Sequence, residues 1–178
     1  MMNLFIKLIA FILKLVYGYE ALNILLKNLP SRKINLILRM FGGKIGKNVI
    51  IKSPFIIHNA DKKSKIYSNL NIGDNCFIGR DCIFDLRGKI TLYDNVTISH
   101  RAVLNTHLNT GNSVYYAKPY PSISGDIIIR GGTYIGSNVT ILHSIKIGSN
   151  SIIGASSLVN RDIKDNVTAF GVPCRQRE

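Results

Sequence analysis

The chain has 178 residues, 46% hydrophobic and 19% charged, a size and composition that suit one compact domain and exclude two full catalytic domains. Its 23 Lys and Arg residues against 10 Asp and Glu residues give a net charge of +13, and most of the excess lies before residue 66. Because this charge shares its segment with the most hydrophobic stretch of the chain, we expect an anionic membrane surface as a partner, and no nucleic acid.

The segment from Leu4 to Leu29 is predicted to be helical and to lie on a membrane surface rather than to cross it. Lys14 would lie near the middle of any span, where a lysine costs roughly 2.5–3.5 kcal/mol. Asn3, Lys7 and Lys14 share one side of the helix. The opposite side is broad and apolar and carries Leu4, Phe5, Ile9, Ile12 and Val16. No small-residue cleavage site follows a short apolar core, so we do not predict a signal peptide.

A second helix is predicted over residues 31–41. Ser31 is a candidate N-cap, and Gly42-Gly43 ends the helix. Its apolar positions Ile34, Ile37, Leu38 and Phe41 follow the i, i+3, i+4, i+7 pattern, and its polar side carries Arg32, Asn35 and Arg39. We therefore divide the chain into N-terminal amphipathic helices (1–41), which contact a membrane or a subunit, and a repeat domain (42–178).

After Gly43 an aliphatic or aromatic residue recurs every six positions in four phased blocks. These anchor residues are Ile45 and Ile51; Ile66, Ile72, Ile78 and Phe84; Leu92, Ile98 and Leu104; and Ile129, Ile135, Ile141, Ile147, Ile153 and Val159. A period of six fits neither an α-helix nor a hairpin meander, but it fits short strands wound around a coil. Three hexads close one triangular turn, so these anchors predict about five coils, stacked about 4.8 Å apart with anchor i next to anchor i+18.

The six-residue phase breaks in three places, and each break can carry function. The spacing is fifteen between Ile51 and Ile66, eight between Phe84 and Leu92, and twenty-five between Leu104 and Ile129. The last break contains a loop, residues 105–126, that is rich in polar and aromatic side chains. These include Asn105, His107, Asn109, Asn112, Tyr115, Tyr116 and Tyr120.

The repeat and the C-terminal end carry a resemblance to the hexapeptide-repeat acyltransferases, which include galactoside, maltose and serine acetyltransferases and polysaccharide O-acetyltransferases. The matching motifs are Tyr134-Ile135-Gly136-Ser137-Asn138-Val139-Thr140-Ile141-Leu142, Ile147-Gly148-Ser149-Asn150-Ser151-Ile152-Ile153-Gly154-Ala155-Ser156-Ser157-Leu158-Val159 and Gly171-Val172-Pro173-Cys174-Arg175. The resemblance implies an all-β solenoid, a left-handed parallel β-helix preceded by an α-helical extension. It also implies a homotrimer that binds acetyl-CoA in each groove between adjacent subunits.

The resemblance further implies that a histidine at the start of the extruded loop is the general base, and His107 stands there. Attack of a sugar hydroxyl on a thioester needs such a base, and imidazole is suited to it. Counted from Asp94-Asn95-Val96, the resembling sugar acetyltransferases have their histidine two residues later, at Asn109. His100 is therefore the alternative base. A trimeric three-histidine zinc site also uses this fold, but the spacing of His100 and His107 does not match it, and we expect no metal.

The resemblance also assigns residues to the two substrates. Gly136, Ser137, Ala155, Asn160, Arg161 and Arg175 match positions that line the pantetheine slot and the nucleotide phosphates of acetyl-CoA. Small corner residues are also what a tight turn requires, so the groove is better defined than its individual residues. For the acceptor sugar, the candidate wall residues are Asp85, Arg87, Asn105 and Asn109, with the loop tyrosines.

The sequence thus predicts an O-acetyltransferase that moves acetyl from acetyl-CoA to a sugar hydroxyl of a surface polysaccharide or its lipid-linked precursor. Two alternatives remain open: an amino-sugar N-acetyltransferase, and a catalytically inactive, membrane-attached trimeric scaffold. The three cysteines contain no CxxC pair, which fits a reducing compartment. We expect a cytoplasmic location on the inner face of the cell membrane.

Overall fold

The computed structural model describes residues 2–60, 66–111, 113, 115, 116 and 118–177. Three helices come first: α1 (Met2–Tyr17), α2 (Leu22–Asn28) and α3 (Ser31–Met40), with a short 3-10 turn at Tyr19–Ala21 between α1 and α2. None of the helices in these ranges combines the length and the apolarity that crossing a bilayer requires. Gly42, at a φ of 100°, turns the chain out of α3 as predicted.

Short strands fill the rest of the chain. They are β1 (Lys44–Ile45), β2 (Ile50–Ile51), β3 (Phe55–His58), β4 (Leu70–Ile72), β5 (Phe77–Ile78), β6 (Cys82–Asp85), β7 (Ile90–Leu92), β8 (Thr97–Ile98), β9 (Val103–Leu104), β10 (His107–Leu108), β11 (Ile123–Ser124), β12 (Ile127–Ile129), β13 (Tyr134–Ile135), β14 (Thr140–Ile141), β15 (Lys146–Ile147), β16 (Ile152–Ile153), β17 (Leu158–Val159), β18 (Thr168–Phe170) and β19 (Arg175–Arg177).

The strands form the three walls of a triangular coil, each wall a parallel sheet. The first wall has the order β1-β4-β7-β12-β15, the second β2-β5-β8-β13-β16-β18, and the third β3-β6-β9-β14-β17. The C-terminal strand β19 pairs antiparallel with β18 and closes the last coil. The chain thus makes five complete coils, as the repeat predicts, and part of a sixth.

The anchor residues stack inside the coil in the predicted register. Ile129 pairs with Ile147 and Ile135 with Ile153, so residues eighteen positions apart are neighbours. All four are fully buried, and each such side chain contributes roughly 1.5–3 kcal/mol. One anchor was wrong: the third-wall position of the first coil belongs to Ile57, which pairs with Phe84. Ile66 is buried in the turn that leads into β4.

The extra residues at the phase breaks leave and re-enter the coil without disturbing its stacking. Across the long break, Leu104 of β9 still pairs with Ile141 of β14. Across the short one, Phe84 still pairs with Leu104. Both insertions lie where the third wall passes into the first wall of the next coil. This corner of the triangular coil is therefore the place where extra residues can be inserted.

Helices α2 and α3 cover the open end of the first coil, which has no preceding coil to pair with. The Asn23 side chain donates to Ile57 O (2.9 Å) and accepts from Ile57 N (3.0 Å). Ser31 Oγ accepts from Ile51 N (2.9 Å), and the Arg39 guanidinium donates to Ile45 O (3.0 Å). One helical side chain thus satisfies each wall, which protects an edge that would otherwise pair with another chain.

The expected N-cap role of Ser31 was wrong. Pro30 occupies the N-cap position of α3, which has no side-chain cap, and Ser31 lies inside the helix, where its hydroxyl serves β2. Asn35 belongs to the expected polar side, yet it is buried and donates to Val49 O (2.8 Å). Both side chains therefore bond to backbone groups at the open edge of the coil, rather than to the helix terminus or to solvent.

Asn23→Ala should lower the free energy of unfolding by about 1–3 kcal/mol, because both backbone groups of Ile57 lose their partner at the end of the third wall. Urea unfolding followed by circular dichroism measures the change. Asn28→Ala, which removes an exposed bond to Ile24 O in the same helix, is the matched control. Equal effects of the two substitutions would mean that Asn23 does not protect the coil edge.

Candidate active site

His107 and Asp85 form a close pair at the corner where the chain leaves the third wall. His107 Nδ1 lies 2.6 Å from Asp85 Oδ2, the one contact within 4.0 Å between a basic side chain and a carboxylate in the described part of the chain. The His107 side chain is 19% exposed and that of Asp85 5%. With Nδ1–H donated to the carboxylate, Nε2 keeps its lone pair and can accept a proton from a substrate hydroxyl.

The Asp85 carboxylate is held by several donors besides His107. Thr106 N (2.9 Å) and Thr106 Oγ1 (2.7 Å) donate to Oδ2, and Asn59 Nδ2 donates to Oδ1 (2.9 Å). Burial raises the pKa of the Asp85 carboxyl group, but the hydrogen bonds from His107, Thr106 and Asn59, with the charge of His107, outweigh it and bring the pKa below its ordinary value. Asp85 is therefore an ionised acceptor that fixes the orientation of the imidazole.

The coil register explains why these residues meet. Asp85 ends β6 and Leu104 ends β9, and the pairing of Phe84 with Leu104 sets Asp85 beside the first residues after β9. His107 then begins β10, which pairs antiparallel with β11, so the extruded loop has a hairpin at its base. The ring of His58, which pairs with Asp85 in the register, lies 6.5 Å from the His107 ring, centroid to centroid.

The residues predicted to line the acceptor site differ in burial and in hydrogen bonding. Asp85 is 3% exposed and its oxygens are already bonded, which argues against the predicted contact with a sugar and places it behind His107 instead. Arg87 is exposed and Asn105 half-buried at the same corner. Asn109 is exposed and accepts from Gly111 N (2.8 Å) within the loop. Tyr115, Tyr116 and Tyr120 are exposed there, and Asn112 lies outside the described residues.

The alternative base, His100, lies at another corner, where the second wall passes into the third. We call this the Ser137 corner and define it by Arg80, His100, Ser137 and Ala155. Consecutive coils stack there through Asn138 N to His100 O (3.1 Å) and Ser156 N to Ser137 O (2.8 Å). His100 Nδ1 lies 3.1 Å from Ser137 Oγ, and its side chain is exposed. No carboxylate within the described ranges pairs with His100, unlike His107.

The residues predicted to bind acetyl-CoA lie at two different corners of the triangular coil. Gly136, Ser137 and Ala155 lie at the Ser137 corner, where a Cβ on Gly136 would come within 2.7 Å of Ala155 N. Arg175 pairs with Phe170, next to the C-terminal end of that corner. Asn160 and Arg161 follow β17 instead, at the corner that carries His107. A single copy of the chain therefore does not bring His107 together with the Ser137 corner.

The sequence reasoning missed Thr106 and Asn59, which complete the shell of Asp85. Thr106 is fully buried and directly precedes His107. Counting the coil register across the eight-residue break would have found the pair, since it aligns Phe84 with Leu104. In the described residues, no group of three or more His, Cys, Asp or Glu side chains lies close enough together to hold a metal ion.

Comparison with known proteins identifies the family. The model described as "Bacterial transferase hexapeptide (six repeats)" matches residues 126–161. Galactoside O-acetyltransferase of Escherichia coli (strain K12) is 34% identical over 147 residues, covering 82% of this chain and 67% of that protein. The chain belongs to the hexapeptide-repeat acetyltransferases. The predicted family, the left-handed parallel β-helix and the class of acetyl-CoA-dependent acetyltransferase are confirmed.

Two further relatives extend the comparison. The structure of a galactoside acetyltransferase in complex with coenzyme A has a TM-score of 0.73 and 28% identity, covering 88% of this chain and 76% of that one. A putative colanic acid biosynthesis acetyltransferase, WcaF, of Escherichia coli (strain K12) is 28% identical over 137 residues, 77% of this chain and 69% of that protein. The chain spans about two thirds of the length of the curated relatives it matches.

Asp85→Asn should make the free energy of unfolding depend less on pH in the acid range. Because the pKa of Asp85 is lower in the folded chain than its ordinary value of 3.8, the carboxylate stabilises the fold above that pH. This contribution is lost as the pH falls through the folded-state pKa. We expect a loss of roughly 2–3 kcal/mol for the variant near neutrality and a smaller loss below pH 3.8.

Urea unfolding at a series of pH values measures this difference. Asp81→Asn, at an exposed position one coil corner away, is the control. A difference between wild type and Asp85→Asn that stays constant with pH would contradict the ionised, hydrogen-bonded state of Asp85.

Proposed function

We propose that this protein is an O-acetyltransferase that moves acetyl from acetyl-CoA to a sugar hydroxyl of a surface polysaccharide or its lipid-linked precursor, with His107 as general base. The observation that carries the proposal is the 2.6 Å contact between His107 Nδ1 and the buried carboxylate of Asp85. This contact fixes the tautomer in which Nε2 is free to accept a proton. His100, which has only hydroxyl neighbours in the described chain, lacks such a partner.

The reaction needs one proton to make a round trip through His107. Nε2 accepts the proton of the sugar hydroxyl as the oxygen attacks the acetyl carbonyl of the thioester. Asp85 stabilises the resulting imidazolium without taking its proton, because the carboxylate is already held by Thr106 and Asn59. When the C–S bond breaks, His107 returns the proton to the thiolate of coenzyme A. The products are the O-acetyl sugar and the free thiol.

A second copy of the chain is needed to complete this site in our proposal, because His107 and the Ser137 corner lie apart on one copy. Two walls offer apolar outer surfaces. The outer residues of the second wall include Ile50, Tyr134 and Ile152, each 43–48% exposed, and those of the third include Ile56, Ile83, Val103 and Leu158. The first wall is more polar, with Lys44, Asn71, Thr91 and Lys146 outside.

Apolar columns of this length are typical of surfaces that a partner covers. The two apolar walls meet at the Ser137 corner, so contact through them brings that corner against a neighbouring copy. The resemblance to trimeric acetyltransferases fits a ring of three with the second wall of one copy facing the third wall of the next. The groove between them would take the pantetheine, and Arg161 and Arg175 would meet the phosphates.

Helix α1 supports a position at the membrane because its apolar side faces outward, while Asn3 and Lys14 of its polar side contact the rest of the chain. Lys33 Nζ of α3 donates to Asn3 Oδ1, Ala10 is fully buried, and Lys14 lies over the Phe41 ring, 5.8 Å from its centroid. The apolar side faces outward, with Leu4 and Leu15 74% exposed and Phe5 62%. A helix that packs on its own protein usually does the reverse.

The charges around α1 favour a lipid surface as the occupant of its apolar face. Lys7, Lys27 and Arg32 are exposed, and Glu20 is the only carboxylate among the described residues up to position 60. Each basic residue near an anionic bilayer contributes about 1 kcal/mol. We therefore place the enzyme peripherally at the inner membrane face, where lipid-linked glycans are assembled. The name of the relative WcaF, which refers to colanic acid biosynthesis, supports an acceptor of the surface-polysaccharide class.

His107→Ala should reduce acetyl transfer to hydroxyl acceptors by roughly 10²–10⁴-fold, the contribution of a positioned general base, with little change in the affinity for acetyl-CoA. Release of the coenzyme A thiol measures the rate, and the purified product shows whether oxygen or nitrogen carries the acetyl group. His100→Ala is the matched variant. A loss in His100→Ala with full activity in His107→Ala would move the base to His100. Transfer to amines alone would favour an N-acetyltransferase, and transfer to neither acceptor the inactive scaffold.

A further inference from the structure

Two adjoining cavities lie between α3, the N-terminus of α1 and the first coil. One has a volume of about 690 Å³ and the other about 680 Å³, and both are lined by Ser31, Arg32 and Arg39. Lys33 and Lys52 line the second, together with Asn3 at the start of α1. We call the two together the basic cavity. It is separate from the His107 corner and has no part in the proposed proton transfer.

The lining of the basic cavity suits a phosphate group. Four cations contribute to it, Arg32, Lys33, Arg39 and Lys52, and no lining residue is an Asp or Glu. Arg39 is held in place by Ile45 O and Gly46 O, so its charge is fixed. Arg32 and Lys52 are exposed and form no ion pair with another described side chain. The ten-residue helix α3 also begins here, and its first N–H groups favour an anion.

A buried polar side chain in the wall points to a ligand that also carries hydroxyl groups. Asn35 lines the first cavity, is 8% exposed and spends its amide N–H on Val49 O (2.8 Å). Its Oδ1 has no hydrogen-bond partner among the described residues. An unpaired acceptor of this kind complements a hydroxyl donor, directly or through water. The wall therefore offers cations for a phosphate and an acceptor for a sugar or a water molecule.

The two sides of the basic cavity indicate which chemical groups flank the phosphate. On one side, Asn3 is followed by Leu4 and Phe5, whose side chains are 74% and 62% exposed. On the other side, Lys52 also lines a smaller cavity of about 310 Å³ with Arg80, Ser99 and His100, at the Ser137 corner. The basic cavity thus lies between an apolar surface and the corner where we expect the acetyl donor. A ligand with a hydrocarbon chain, a phosphate and a sugar would match this order.

We propose that the basic cavity binds the phosphate or diphosphate group of a lipid-linked glycan and so recognises the acceptor from its membrane side. The proposal rests on the proposed function and narrows it to the lipid-linked acceptor. Arg32 and Lys52 contact the phosphate oxygens, the hydrocarbon chain lies along the exposed side of α1 in the bilayer, and the sugar extends toward the Ser137 corner. A polysaccharide released from its lipid would not use this site.

Vesicle binding by the full-length chain tests the cavity directly. One set of phosphatidylcholine vesicles contains an isoprenyl phosphate, which presents a terminal phosphate, and the other contains phosphatidylglycerol at equal surface charge. We expect tighter binding to the isoprenyl phosphate set. Arg32→Gln with Lys52→Gln should weaken that binding by roughly 25-fold, about fivefold per cation. Lys7→Gln with Lys27→Gln removes the same charge outside the cavity and should weaken binding to both sets alike.

Three results would overturn the proposal. If both double variants lose the same affinity for both vesicle sets, the basic residues act only through the overall charge. If inorganic pyrophosphate binds the cavity and isoprenyl phosphate vesicles do not, the site serves a free phosphate rather than a lipid. Retained binding by Arg32→Gln with Lys52→Gln, measured with correctly folded protein by circular dichroism, would also exclude the cavity.

An activity measurement separates this proposal from the proposed function. The wild type is supplied with a neutral soluble glycoside and with the same sugar linked through a diphosphate to an isoprenoid in vesicles. We expect a lower KM for the lipid-linked sugar, and a KM increase of about 25-fold with little change in kcat for Arg32→Gln with Lys52→Gln. Acetylation of both acceptors with equal KM values would leave the O-acetyltransferase intact and overturn the lipid-phosphate site. Acetylation of neither would overturn the proposed function itself.

Discussion

The stacking of coil on coil is the constraint on which the rest of the structure depends. The backbone groups of each inner coil pair with the coils on either side, so neighbouring strands are locked in register whatever the turns contain. Leu104 and Ile141 remain paired although a long loop separates them. Function can therefore be added only at the corners and at the two ends. The His107 loop and the Ser137 corner lie at two such corners, and the helices that cover the first coil lie at one end.

Much of the fold could be predicted from the six-residue period, because each pass along a wall buries one apolar residue and these residues recur every six positions. The anchors gave the number of coils and the pairing of Ile135 with Ile153. The period could not choose between Ile57 and Ile66, since both are apolar and the chain between them is irregular. It also could not show that Asn23, Ser31 and Arg39 serve the edge of the first coil. Those bonds join residues far apart in the sequence, and only the packed structure identifies them.

The candidate site was predicted in parts and required the register to assemble it. His107 stood out by residue type and by its place at the start of the loop, but Asp85 was expected to face a sugar. Its burial and its bonds to Thr106 and Asn59 fit the positioning role that we propose for it instead. Helix α1 shows a similar limit: its amphipathic pattern is clear from the sequence, but only the structure reveals that Asn3 contacts Lys33 and Lys14 lies over Phe41. Its apolar side and the basic cavity then adjoin one another.

The central claim is that one active site needs two copies of the chain, His107 from one and the Ser137 corner from the next. Mixed trimers test it most directly. His107→Ala and Ala155→Trp subunits, the second blocking the groove at an exposed position, are co-expressed with different tags and purified through both. In a directional ring each mixed trimer keeps one intact site of three, so we predict about one third of the wild-type activity from two inactive parents. Mixed trimers as inactive as either parent would contradict the shared site.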